Sequence, residues 1–133
     1  ALADGTIDVL TSGHQPRALE KKMQELSAVP FGMSTLDTAV AQVVTYLIRP
    51  GILSWQRALE AFSTKPAHVL GLEAGSLQVG RPADVVLIDP EKQWTVCNDD
   101  FYSRSRNNPL VGQTLYGRVQ TVFVGGQRKF SRA

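Results

Sequence analysis

Apolar and polar positions divide the chain into two regimes. Up to about residue 72 one aliphatic run is followed by stretches in which apolar residues return every three or four positions. From about residue 75 short aliphatic runs alternate with turn residues. Thr6–Thr11 is β-branched and aliphatic and runs into Ser12-Gly13-His14, which predicts a buried strand entering a loop. A short helix is expected at Leu19–Leu26, inside a long loop that also holds Pro16 and Pro30-Phe31-Gly32. Ser34 with Asp37 three residues later fits a capping box. The helix it would open runs from about Thr35 to Ile48, with Val40, Val43, Val44 and Leu47 on one face and Pro50-Gly51 ending it. Ser54 is placed to cap Trp55–Phe62. Thr64-Lys65-Pro66 reads as the start of a third helix, because proline suits a first turn, and Gly71 would close it.

Beyond Gly75 a turn region ending in Arg81-Pro82 delivers Ala83–Asp89, whose Val85-Val86-Leu87-Ile88 centre has the unbroken apolar character of a buried strand. Trp94-Thr95-Val96 predicts a further short strand, and Asn98-Asp99-Asp100 a capped helical turn. Tyr116–Val124 and Gln127–Phe130 form a hairpin pattern through Gly125-Gly126, since paired glycines allow the positive φ angles of a tight turn. No internal repeat or low-complexity tract is present.

Composition adds mainly exclusions. Of 133 residues, 43% are hydrophobic and 20% charged, which indicates a packed core rather than disorder. The formal charge is only +2, and positive charge is scattered, with one modest cluster (Arg104, Arg106, Arg128, Lys129, Arg132) rather than the dense basic face with stacking aromatics of a nucleic-acid interface, so no nucleic-acid partner is expected. No apolar run reaches the roughly 18 residues that cross a bilayer, so no membrane partner is expected. Cys97 is the only cysteine, which rules out an internal disulfide and makes a reducing cytoplasm the expected location. Cys97 has no histidine close in sequence and reads as inert. The histidines are His14 and His68, too few for a metal site without further ligands. His68, among Pro66, Val69 and Leu70, reads as a packing or surface residue. Gly75 and Gly80 do not follow a strand and lack the Gly-Lys-Ser/Thr ending of a phosphate loop. The chain begins without Met and already part-way into a pattern, as a fragment would.

Three stretches, in order, resemble the dihydroorotases of the amidohydrolase family. Asp4-Gly5-Thr6-Ile7-Asp8-Val9-Leu10-Thr11-Ser12-Gly13-His14-Gln15-Pro16-Arg17 is similar to a strand that ends in Asp-His-Ala-Pro-His at the mouth of that family's barrel. Val29-Pro30-Phe31-Gly32-Met33, followed by Leu36-Asp37-Thr38-Ala39, resembles its Pro-Phe-Gly loop and helix. Ser63-Thr64-Lys65-Pro66-Ala67, Leu70-Gly71-Leu72, Gly75-Ser76-Leu77, Val79-Gly80 and Ala83–Asp89 resemble the segment where an amidohydrolase barrel leads into a small β-sandwich. Trp94-Thr95-Val96, Phe101-Tyr102-Ser103 and Gly117-Arg118-Val119 continue the likeness.

The resemblance implies an α/β fold: the C-terminal strand–helix end of a (β/α)8 barrel over residues 1–72, then the strands of a small β-sandwich over 73–133. It implies a zinc hydrolase that interconverts dihydroorotate and N-carbamoyl-aspartate in pyrimidine biosynthesis. The metals sit on earlier barrel strands that this chain does not include, so no metal ligand and no bound cofactor is expected here, and the isolated chain is expected to be inactive. By the same matching His14, Arg17, Phe31 and Gly32 are the expected substrate-binding residues. Gly13 stands where the family has its catalytic aspartate, and Arg17 replaces a histidine. Arginine can still hold a carboxylate through two parallel hydrogen bonds. Loss of a general acid–base group costs typically about 10²–10⁴-fold in rate. An alternative is therefore a dihydroorotase-like pseudoenzyme that scaffolds aspartate transcarbamoylase; a hydantoinase or allantoinase is a further one. Apolar surface left uncovered on the fragment, for instance along Thr6–Thr11, would favour self-association.

Overall fold

A computed structural model of the chain describes residues 1–132. It is an α/β arrangement in which a helical layer packs on a three-stranded antiparallel sheet. Helix α1 is a single turn, Leu19–Lys22, shorter than the pattern predicts. A 3₁₀ turn, Leu36–Thr38, runs into α2, Ala39–Val43, and on through a π-helical turn, Val44–Ile48. Helix α3, Trp55–Leu59, is opened by Ser54, whose Oγ accepts from the Arg57 N–H at 3.1 Å.

Other expectations for the helical half also need correction. The predicted second and third helices are one continuous run: α3 passes through a π-helical turn, Glu60–Thr64, into α4, Lys65–Val69. In that wide turn the Lys65 N–H donates to Glu60 O, five residues back, immediately before Pro66, whose ring and missing donor break regular α-helical bonding. The Ser34–Asp37 capping box does not form, for reasons given with the site below. Nor is Thr6–Thr11 a laddered strand. It begins in a bend at Thr6 and Ile7, and among the described residues no strand lies beside it to share a ladder. The helices hold it instead. The Leu10 N–H donates to Ala61 O at 2.8 Å, Arg57 donates to Leu2 O at 2.9 Å and to Ile7 O at 2.7 Å, and Lys65 pairs with Asp8. That ammonium, first by hydrogen bonding and then by its charge, holds the Asp8 carboxyl below its ordinary range. Ile7 remains exposed.

The sheet order is β1-β2-β3, with β1 Val85–Thr95, β2 Thr114–Val124 and β3 Gln127–Ser131. The two predicted strands at Ala83–Asp89 and Trp94–Val96 are thus a single strand. Their polar junction is an irregularity in the β1–β2 register between Asp89 and Gln93. Asp89 Oδ1 there accepts from the Glu91 and Lys92 N–H groups at 3.0 and 3.1 Å, replacing ladder bonds. Gly125-Gly126 makes the β2–β3 turn.

Ala41 of α2, Trp94, Val96, Phe101 and Leu115 form the core between the layers. Leu115 is completely buried. The layers are also stitched by polar bonds: the Tyr116 N–H donates to Thr45 Oγ1 at 2.8 Å, and the Thr45 hydroxyl donates to Tyr116 O at 3.2 Å.

A 3₁₀ turn, Asn98–Asp100, follows β1. Asp100 Oδ2 accepts from the Cys97 N–H and thiol, each at 3.0 Å, while Asp100 also pairs with Arg118. Arg118 lies 4.4 Å over the Trp94 ring. Burial is the largest single influence on the Asp100 carboxyl and acts to raise its pKa. The Cys97 hydrogen bonds and the charges of Arg118 and Arg132 together outweigh burial and hold it below its ordinary range. A carboxyl depressed in the folded state stabilises the fold above its unfolded pKa of about 3.9, and that contribution is lost as pH falls through the lower folded value. Asp100→Asn is therefore expected to destabilise the chain at pH 6 and to match the parent progressively below pH 4, read as convergence of their denaturant midpoints. Equal destabilisation at pH 6 and pH 2.5 would show that the charge is not what matters.

Candidate functional site

Two loops meet beside the start of the helix that contains α2. One is Gly13–Arg17 and the other Phe31–Thr35. The Gln15 N–H donates to Met33 O at 3.0 Å, and Arg17 Nε donates to Phe31 O at 2.9 Å. Only glycine at position 32 permits this closeness. Its φ is +122°, and a Cβ there would collide with Gln15 O and come within 2.9 Å of Gln15 Cβ. Lys22 Nζ donates to Pro30 O at 2.8 Å, pulling the loop in from α1.

His14 is half-buried, and its Nδ1 accepts from the N–H groups of both Thr35 and Leu36, at 3.1 and 3.0 Å. These are donors at a helix start, which a helix cannot satisfy internally. The imidazole thus caps the helix from a residue distant in sequence. Nδ1 carries its lone pair toward the helix, so the ring proton sits on Nε2, the one ring nitrogen left for a ligand. His14→Ala is expected to cost about 1–2 kcal/mol through the lost cap. His14→Asn, whose Oδ1 takes roughly the place of Nδ1, should recover part of that. Denaturant unfolding of the three proteins tests the ordering, and an unchanged His14→Ala midpoint would refute the cap.

The side chains expected to form a capping box are used elsewhere. Ser34 Oγ donates to Ser105 O at 2.5 Å and lies 3.2 Å from Ser103 Oγ. Asp37 Oδ1 accepts from the Tyr102 N–H at 3.0 Å. Asn108, buried, donates from Nδ2 to Ser34 O at 2.5 Å and to Thr38 Oγ1 at 3.1 Å, and its Oδ1 accepts from the Leu110 N–H at 2.8 Å. Asn107 adds bonds to both ends of the same loop, through its carbonyl to the Ser34 N–H and through Nδ2 to Gly32 O. Ser34 and Asn108 are the positioning residues that sequence reading missed. The one available signal was Asn107-Asn108-Pro109, a turn signature with two amides to spend.

The predicted residues Gly13, His14, Arg17, Phe31 and Gly32 therefore lie together at these two touching loops. Phe31 projects almost wholly into solvent, 93% exposed. Gly13 has φ +60°, and beyond its own two chain neighbours nothing lies within 4 Å of where its Cβ would be. His68 is exposed on α4, apart from this site. Cys97 is exposed and bonded to Asp100. Among the described residues no three His, Cys, Asp or Glu side chains converge as metal ligands. The donor chemistry at the loops agrees poorly with zinc as well: with Nδ1 accepting from the helix the proton sits on Nε2, so His14 has no free lone pair to give a metal, and position 13 offers no carboxylate. No described helix is long and apolar enough to cross a membrane.

The amidohydrolase family model matches residues 1–129. The chain belongs to the amidohydrolase family. A Rhodopirellula baltica protein named "Putative dihydroorotase" is 47% identical over 98% of this chain, and the dihydroorotase of Mycobacterium leprae is 40% identical over 96%. The chain spans 28% and 30% of the length of these two relatives. Among solved structures, the L-hydantoinase (dihydropyrimidinase) of Arthrobacter aurescens superposes with a TM-score of 0.91 at 28% identity, over 99% of this chain and 30% of that one. The amidohydrolase fold expected from the sequence is thus the fold observed. The sequence relatives carry dihydroorotase names, whereas the structural neighbour carries a hydantoinase name.

Proposed function

We propose that this chain is the C-terminal portion of a dihydroorotase-type zinc hydrolase that opens and closes a cyclic amide, dihydroorotate against N-carbamoyl-aspartate. The observation that carries the reading is the locked pair of loops Gly13–Arg17 and Phe31–Thr35. Arg17 spends only Nε on Phe31 O, which leaves both terminal nitrogens to hold a carboxylate bidentately. The His14 Nε2–H is a donor for a ring carbonyl or carboxylate, and the backbone of Phe31 and Gly32 offers amide groups to the ring. Zinc, supplied by ligands outside this chain, would polarise the scissile carbonyl and generate hydroxide near neutral pH. These 133 residues bind and orient; alone they are inactive. The names of the 47% and 40% identical relatives support dihydroorotate over a hydantoin as substrate.

The test is dihydroorotate turnover by the full-length protein with and without zinc, beside residues 1–133 alone. Zinc-dependent turnover by the former and none by the latter is expected. Absence of turnover in the zinc-loaded full-length protein would refute the reading. One observation favours a second reading: Gly13 offers neither a ligand nor a base beside His14. On that reading the parent is a pseudoenzyme scaffold for aspartate transcarbamoylase, and co-elution of the two proteins without turnover would identify it.

A further inference from the structure

A cleft of about 920 Å³ opens between the loop leading through α1 and the segment after Phe101. The loop side contributes Arg17 and Lys22 with the apolar Pro16, Ala18 and Leu19, and the segment after Phe101 contributes Arg104 and Arg106. The compensation of these four cations is what sets the cleft apart. Arg17 and Lys22 bond only to backbone carbonyls, at 2.9 and 2.8 Å. A carbonyl satisfies a donor but does not neutralise a charge. Arg104 has no hydrogen-bond or ion-pair partner among the described residues. Arg106 has a long ion pair, 3.7 Å, to the almost fully exposed Asp99, a contact worth little in solvent. Glu20 is the one carboxylate lining the cleft.

Four cations held around a concave surface repel one another, and the low-dielectric walls focus their field into the opening. Guanidinium groups present paired donors that match the oxygens of carboxylate and phosphate, and an ammonium adds a point charge. The volume lies in the range of small-molecule pockets and exceeds what an inorganic ion fills. We propose that this cleft is a binding site for a small organic polyanion, with a head carrying two or more negative charges on Arg104, Arg106 and Lys22 and an apolar body against Pro16, Ala18 and Leu19. The site goes beyond the hydrolase reading and does not depend on it. Arg17 stands at the boundary between this cleft and the paired loops, so occupancy here would feel the same side chain that is assigned to substrate.

Calorimetric titration of the full-length protein with AMP, citrate, inorganic pyrophosphate and acetate, in about 0.1 M chloride, tests the proposal. The expected result is saturable binding of AMP or citrate with Kd near or below about 1 mM, acetate at least tenfold weaker, and loss of about tenfold or more in affinity in Arg104→Ala/Arg106→Ala. Preference for AMP over citrate would identify a phosphate head and the reverse a polycarboxylate. Both arginines are exposed, so the double variant should fold, which its thermal midpoint checks. Because Arg17 is untouched, dihydroorotate turnover read in the same variant separates this site from the substrate loops. The proposal is overturned by failure to saturate below 10 mM, by equal binding of acetate, by equal affinity in the double variant, or by pyrophosphate binding with no response to either organic anion, an adventitious ion only.

Discussion

Gly117→Ala is expected to be the most damaging single-methyl change in the chain, destabilising it by about 2–5 kcal/mol. Gly117 is buried in β2 at φ +81°, and a Cβ there would lie 2.6 Å from Val44 Cγ2, 2.7 Å from Val44 Cβ and 2.9 Å from Val44 Cγ1. The left-handed backbone costs an L-residue roughly 1–2 kcal/mol, and overpacking adds typically about 1–3 kcal/mol. Neither layer can slide away cheaply. Tyr116 is bonded to Thr45 in both directions, and Trp94 Nε1 donates to Gly117 O at 3.3 Å. Val44→Ala in the Gly117→Ala background should recover only the part of the packing share owed to the two Cγ atoms, because alanine keeps the Cβ at 2.7 Å. Denaturant midpoints of the four proteins in that cycle measure that part. A Gly117→Ala protein as stable as the parent would contradict the described contact between helix and sheet.

The second large effect is on activity. In the full-length protein Gly13→Asp is expected to raise dihydroorotate turnover by about 10²–10⁴-fold, the usual worth of a positioned general acid–base group. The substitution fits locally: no atom of the chain crowds the position, and aspartate is among the residues that tolerate the left-handed region best. The comparison is kcat for the two zinc-loaded proteins across pH, because a restored proton shuttle changes the profile and not only its height. A scaffold whose upstream ligands are also lost would show no gain from the same substitution, and that outcome would count against the hydrolase reading.

Where neighbouring residues decide the structure, it was legible in the chain. The Gly125-Gly126 hairpin, the Ser54 cap and the Asn98–Asp100 turn all formed where expected, because each depends on side chains within a few positions. The failures share the opposite property. Ser34 and Asp37 have the right spacing to serve each other but are claimed by residues 102–105, and His14 takes over the cap. The Thr6–Thr11 segment has the composition of a strand without a ladder partner, and a ladder is a property of two segments. At Asp89–Gln93 a polar, proline-containing stretch reads as a loop, yet the Asp89 carboxylate lets one strand bend through it. That Gly13–Arg17 and Phe31–Thr35 form one loop pair was legible through the family likeness. That Asn108 and Ser34 hold it in place was not, since their partners lie about 70 residues away in sequence.

The bond from His14 Nδ1 to the start of the helix also bears on how such a motif decays. A histidine that fastens a helix would be retained by the demands of stability whatever its neighbour at position 13 contributed to chemistry. Descendants that abandon catalysis would therefore shed the aspartate long before the histidine. A Gly-His pair of this kind therefore testifies to the anchoring of a helix, and to neither the presence nor the loss of an activity.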